Sequence, residues 1–210
     1  MDGSRRLRHP RARGILLTTI LGSGIAFLDS TIVNVALPAI GRALGAGLAG
    51  LQWTVDAYLL TLTAFLLPGG AAGDRLGHRR VFVAGLAGFG VASALCGLAP
   101  TTGALVAARS LQGLFAALLV PGSLALLRAC FRDEDQGRAV GVWAALSGTT
   151  SAIGPLAGGW LAELEWRSIF FVNVPLVALA LWSAVRFVPA VKPFPLSPPS
   201  TGSGWPAGGG

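Results

Sequence analysis

Charge is the scarcest property of this sequence. Only 12% of its 210 residues are Asp, Glu, Lys or Arg, against about 25% in an ordinary soluble domain. So few charges cannot cover the surface of a water-soluble globule. Lysine is nearly absent, with Lys192 alone, so a phosphate-binding loop of the Gly-x-x-x-x-Gly-Lys-Ser/Thr type, and with it an ATP-driven pump, is excluded. Histidine is confined to His9 and His78, both outside the apolar runs, which removes an intramembrane serine protease needing a membrane-embedded histidine. Cysteine is limited to Cys96 and Cys130. These fall near the ends of different runs, on opposite sides of the membrane, so neither a disulfide nor a Cys/His metal site is expected. The balance of charge is basic, at +7, but the arginines form short clusters between uncharged stretches. They do not line a polar, aromatic-bearing face, which argues against nucleic acid as a partner.

What the chain has instead is apolar length. Hydrophobic residues make up 53% of it and glycine contributes 30 positions, the small residues that let membrane helices approach closely. About 20 mostly apolar residues cross a bilayer. Six stretches qualify: 14–36, 53–73, 81–98, 103–127, 139–162 and 168–188. Pro100, Thr101 and Thr102 form a tight turn between the third and fourth, where proline stops one helix and a threonine caps the next. The first run begins like a secretory signal, but it is long, contains Asp29 and Asn34, and is followed by five more, so it reads as a retained helix.

The loops test this count. Thirteen of the 16 basic residues fall on one side, from Arg5 to Arg13, at Arg75, Arg79 and Arg80, at Arg128, Arg132 and Arg138, and at Arg186 and Lys192. Only Arg42 and Arg167 fall on the other, and Arg109 lies within a run. The positive-inside rule then places both termini in the cytoplasm of a multi-pass protein of the cell's inner (plasma) membrane. The domain reading is a basic cytoplasmic segment over 1–13, a six-helix bundle over 14–188, and a disordered Pro/Gly/Ser-rich tail over 189–210.

Ionisable residues inside a span cost at least about 2.5–3.5 kcal/mol and normally face a partner or a wet cavity. At about 1.5 Å per residue, Asp29 lies roughly 10 Å and Arg109 roughly 9 Å from the outer ends of their runs, close enough in depth to share a cavity. The pair reads as a proton or cation site, or else as a static ion pair that fixes packing. Asn34 and Gln112 are candidates for the same cavity, or for neutral interhelical bonding. A second cluster, Gly70, Asp74, Arg75, Gly77, Arg79 and Arg80, lies between the second and third runs. Its glycines allow a tight reversal, Asp74 can cap a helix start, and His78 reads as a surface residue without a ligand role. A third, Gly154, Pro155, Gly158 and Gly159, reads as a packing kink, or as a hinge or seal.

These clusters resemble the signatures of a family. The stretch Leu28-Asp29-Ser30-Thr31-Ile32-Val33-Asn34-Val35-Ala36-Leu37-Pro38 is similar to the first helix of the fourteen-span drug:proton antiporters of the major facilitator superfamily. Gln52, Trp53 and Tyr58 fit their second helix. The cluster from Gly70 to Arg80 resembles the superfamily's loop between helices two and three. Arg109-Ser110-Leu111-Gln112-Gly113 resembles the fourth-helix motif, and Gly154-Pro155 with Gly158-Gly159 the antiporter motif of the fifth. The run from Trp166 and Arg167 to Asn173 and Pro175 resembles the start of the sixth. The likeness covers about residues 26–188.

The resemblance implies an all-α membrane fold, in which six helices form two three-helix inverted repeats, the N-terminal half of the superfamily fold. It implies export of drug-like or antibiotic small molecules against protons, with a proton gradient and no cofactor as the energy source, and no enzymatic activity. Asp29 would be the titrating or substrate-facing carboxylate and Arg109 its coupling partner. Asp74 and its arginines would form a cytoplasmic gate, and residues 154–159 would seal the resting state. Alternating access needs a second bundle. A missing C-terminal half or a parallel homodimer is therefore the expected partner, beside substrate, protons and lipid. The tail from Ser200 to Gly209, back-translated in a shifted frame, resembles the approach to a seventh helix, so a frameshift is one expected origin of the short chain. The alternative is a non-transporting scaffold, a regulator or an inactive fragment. The substrate cannot be read from the sequence.

Overall fold

The structure is a computed structural model that describes residues 10–131 and 133–189. The described residues form seven helices: α1 (Pro10–Leu44), α2 (Leu48–Leu76), α3 (His78–Gly97), α4 (Thr102–Cys130), α5 (Asp133–Leu164), α6 (Ser168–Phe171) and α7 (Asn173–Phe187). The tail over 190–210 and the first nine residues, both assigned above, lie outside the described residues.

α1 to α4, and the unit α6–α7, are each long and apolar enough to cross a membrane. α5 has the length, 32 residues, but Gly, Ser and Thr dilute its apolar content. The helices outrun the apolar stretches that announce them. α1 starts within the basic segment and continues through Pro38 to Leu44, because a proline bends a helix without having to end it. The sixth span is broken. Val172 separates α6 from α7, four residues after Ser168 and three before Pro175, whose ring opposes the carbonyl one turn back and whose nitrogen donates nothing.

The turns follow their local chemistry. Thr101 caps α4, its Oγ1 accepting from Ala104 N at 3.2 Å, as expected. Gly77 makes the reversal between α2 and α3 with φ of 94°, a conformation that L side chains rarely adopt. Asp74 does not cap α3, contrary to expectation. It sits in the last turn of α2, and the N-cap position belongs to Gly77, which has no side chain to offer.

α1 packs against α5, α7 and α4; α4 packs against α2 and α3; and α3 meets α7. Exchanging α1–α2–α3 with α4–α5–α7 maps the α2–α4 pair onto α5–α1 and the α3–α4 pair onto α7–α1. Since α1 and α4 run in opposite directions, this is the pattern of an inverted repeat. Close approach within the pairs depends on glycine. A Cβ on Gly113 of α4 would run into the Tyr58 carbonyl of α2.

Two apolar clusters fill the bundle. One, toward the end bearing Arg75, Arg79, Arg80 and Arg128 (the basic end), is built on Phe82, Phe89, Leu119 and Leu126. The other, toward the far end, is built on Ile32, Ile40, Leu105, Ile169 and Phe170. Three helices, and the span formed by α6 and α7, switch from one cluster to the other, and at each switch there is a polar residue: Asp29 on α1, Ser93 on α3, Arg109 and Gln112 on α4, and Asn173 at the start of α7.

Candidate functional site

Asp29 is fully buried and Arg109 is 1% exposed. Arg109 Nη1 lies 2.5 Å from Asp29 Oδ2, a charge-assisted bond at the short end of the range. The same nitrogen donates to Gln112 Oε1 at 2.6 Å. Arg109 Nε donates to the Thr54 carbonyl at 3.2 Å, and the guanidinium lies 4.1 Å from the centre of the Tyr58 ring. Tyr58 is held in turn by a hydrogen bond from its hydroxyl to the Ala26 carbonyl, 3.2 Å. α2 therefore supplies the wall behind the arginine, and the close α2–α4 packing at Gly113 sets its distance.

The other carboxylate oxygen is met by two amides. Asp29 Oδ1 accepts from Gln112 Nε2 at 2.9 Å and from Asn173 Nδ2 at 2.7 Å. Both amides also donate to Ser93 Oγ, at 2.7 and 3.0 Å. Cys96 Sγ donates to Gln112 Oε1 at 3.5 Å. Three donors from two other helices thus converge on one carboxylate. An ionised carboxylate has only acceptor positions, about four of them; this shell fills both on Oδ1 and one on Oδ2. Removing two charges from water is expensive, and a buried ion pair is poor evidence of stabilisation for its own sake. Its retention between two apolar clusters is more readily explained by function.

Of the sequence candidates, Asp29, Arg109 and Gln112 come together. Asn34 does not. It is exposed, and its amide is spent on the Ser30 carbonyl of its own helix at 2.6 Å. Ser93 and Asn173 are in the cluster and were not assigned to it from sequence. Gly154 and Gly158 face α1: a Cβ on Gly154 would strike the Thr31 hydroxyl, and one on Gly158 would lie 3.1 Å from the Ile32 backbone. They seat α5 within one turn of Asp29, Gly159 lies beside Val35, and Pro155 is exposed on the other face. At the α2–α3 turn, His78 Nε2 lies 3.5 Å from Asp74 Oδ1, so the histidine read as an idle surface residue has a partner. Gly70 lines a small cleft with Asp74, His78 and Pro121. Arg79 reaches the Val185 carbonyl of α7 at 3.3 Å, while Arg75 and Arg80 are exposed. Among the described residues no group of three His, Cys, Asp or Glu is placed to hold a metal.

Residues 19–207 match the Major Facilitator Superfamily. This chain belongs to that superfamily. It is thus a member of a transporter family, not of a known enzyme class, and a multi-pass membrane protein. It is 45% identical over 179 residues to the methylenomycin A resistance protein of Bacillus subtilis (strain 168), a match covering 84% of this chain and 38% of that protein. It is 45% identical over 167 residues to the tetracenomycin C resistance and export protein of Streptomyces glaucescens, covering 79% and 31%. The chain thus spans well under half the length of these relatives. Among solved structures, a bacterial homolog of the human lysosomal transporter Spinster superposes with a TM-score of 0.73 at 18% identity, over 91% of this chain and 46% of the other; that likeness speaks for the fold. Within this superfamily member, Asn173 had one legible signal: it stands two residues before Pro175, where a proline interrupts the span and a polar side chain can sit at a new helix start.

Proposed function

We propose that this chain provides one six-helix bundle of a proton-coupled exporter of drug-like or antibiotic small molecules, in the fourteen-span drug:proton antiporter branch. The observation that carries the reading is the buried Asp29–Arg109 pair, with three donors converging on the carboxylate. Protonation of Asp29 would cancel its charge and release the Nη1 contact. The guanidinium would keep the Gln112 and Thr54 oxygens it already touches, so the two charge states would differ mainly in how firmly α1 is tied to α4. The resistance and export functions named for the relatives support an outward, drug-directed role, and the distribution of arginines supports cytoplasmic termini in the inner membrane.

The remaining motifs take their places in this reading. Asp74, Arg75, Gly77, Arg79 and Arg80, with Gly70, form the cytoplasmic gate. Gly154, Pro155, Gly158 and Gly159 form the seal that holds α5 on α1 beside the titrating group. Exposed Trp53, Leu60 and Leu67 on α2 and Leu156 and Trp160 on α5 are the face that meets a second bundle, either a C-terminal half or a parallel copy.

The test is drug-linked proton movement in membrane vesicles under an imposed pH gradient, with and without Asp29→Asn. The substitution keeps the size and the neutral charge of the protonated acid, exchanging one acceptor oxygen for an amide donor, and removes the titrating group, so coupling should be lost while the protein still reaches the membrane. Equal coupling in both proteins would leave the pair a packing device, and no drug-linked proton movement in either would favour a scaffold.

A further inference from the structure

One atom in the Asp29 cluster has no partner. Asn173 Oδ1 is buried and accepts no hydrogen bond, although its own Nδ2 makes two. A buried carbonyl left unsatisfied costs about 1–3 kcal/mol, and the other amide in the cluster shows no such waste. Gln112 uses its nitrogen on Asp29 and Ser93 and its oxygen on Arg109 and Cys96. The two amides face the same carboxylate oxygen and the same hydroxyl, yet only one is locked. Turning Gln112 over would break a charge-assisted bond to Arg109. Turning Asn173 over breaks no bond at its oxygen.

We infer that Asn173 is a positioning residue whose amide inverts with the charge of Asp29. The inference rests on the proton reading proposed above. With Asp29 ionised, Nδ2 faces the carboxylate and Ser93 Oγ accepts from both amides. When Asp29 takes up a proton at Oδ1, that oxygen becomes an O–H donor and needs an acceptor at the position Nδ2 occupies. Inversion brings Oδ1 there, and the Ser93 hydroxyl, which no longer accepts from Asn173, turns its proton toward the same oxygen. The inversion itself breaks no bond to Arg109. Because Asn173 is the first residue of α7 and Ser93 lies near the C-terminal end of α3, the inversion carries the charge state of α1 to two helices that Arg109 does not touch. The other titratable groups facing the carboxylate are Arg109 from α4, Tyr58 from α2 and Cys96 from α3, while α5 presents glycine on this side.

The sequence makes the test clean, for Asn34 and Asn173 are the only asparagines. In an Asn34→Gln background, asparagine labelled at its side-chain carbonyl reports Asn173 alone. Infrared difference spectra of the purified full chain in lipid nanodiscs would be recorded from alkaline to acid pH, and Asp29→Ser would assign the carboxyl band. The expected result is that the Asn173 carbonyl moves to lower frequency with the midpoint at which the Asp29 carboxyl band appears. A carboxyl band with an unmoved Asn173 carbonyl overturns the inversion and leaves the proton reading standing. No Asp29 carboxyl band at any pH overturns both. The labelled carbonyl in the unsubstituted site decides between the first two results even if Asp29→Ser fails to fold.

Discussion

The layer around Asp29 and the layer around Ser23 lie about 9 Å apart along α1, and α1, α4 and α7 contribute to both. In the first, a carboxylate accepts from side chains of α4 and α7, a guanidinium donates to α1, α2 and α4, and Ser93 of α3 holds the two amides. In the second, the groups are neutral. Ser23 Oγ donates to Ser123 Oγ at 2.8 Å and accepts from Trp143 Nε1 at 3.3 Å, Ser123 Oγ also bonds the Thr19 carbonyl at 3.2 Å, and the Thr18 and Ser183 hydroxyls meet at 2.6 Å. Thr18 and Thr19 also bond carbonyls of their own helix, those of Gly14 and Leu16. A hydroxyl can fall back on its own helix when a neighbour is lost; a charge cannot. The second layer even tolerates an idle member, since Ser147, one turn from Trp143 on α5, has a buried hydroxyl with no partner.

That difference should be measurable, and the largest effect lies in the charged layer. Asp29→Ala strands a guanidinium that cannot lose its proton, and should destabilise the bundle by about 3–5 kcal/mol, read as a fall in the thermal unfolding midpoint in detergent. Arg109→Ala should cost less, because a stranded carboxylate can be neutralised by a proton. The reverse order would break the comparison. Next in size, Gly113→Ala drives a methyl into the Tyr58 carbonyl and should cost about 1–3 kcal/mol. Gly148→Ala, where nothing lies within 4 Å, should be neutral or slightly stabilising; equal effects at the two glycines would show that α2 is not held by backbone contact. The smallest loss is that of Ser23→Ala, expected at about 0.6 kcal/mol and no more than ~1.7 in the same melting experiment. A loss matching Asp29→Ala would mean that the hydroxyls are as indispensable as the charges.

How much of this was legible in the sequence follows from the same contrast. Asp29 and Arg109 stand out because an ionisable residue within an apolar run has to be explained. Gln112 follows from Arg109 because three residues along a helix return to the same face. Asn34 misled because it shares a helix with Asp29, but five residues at 3.6 per turn rotate it by about 140°, away from the cluster. Ser93 and Asn173 carry no such flag, since small polar residues are ordinary in membrane helices and only packing reveals that Asn173 meets the carboxylate and Ser93 the amides that hold it. The helix ends were misjudged for a related reason. Hydropathy marks where a chain is apolar, while the helices of α1 and α2 continue into polar residues on either side.

The spacing of the ion pair along the chain also has a consequence in time. Asp29 and Arg109 are 80 positions apart. At about 5–20 residues per second of synthesis, the carboxylate emerges about 4–16 s before its counter-ion, and Asn173 emerges later still. During that interval the apolar stretch of the first helix has an acid and no counter-ion at its depth. It must either remain beside the insertion machinery until the fourth helix arrives or enter the bilayer with its acid protonated. On the second course, the neutral form proposed for the transport cycle is also the form in which the helix first meets lipid.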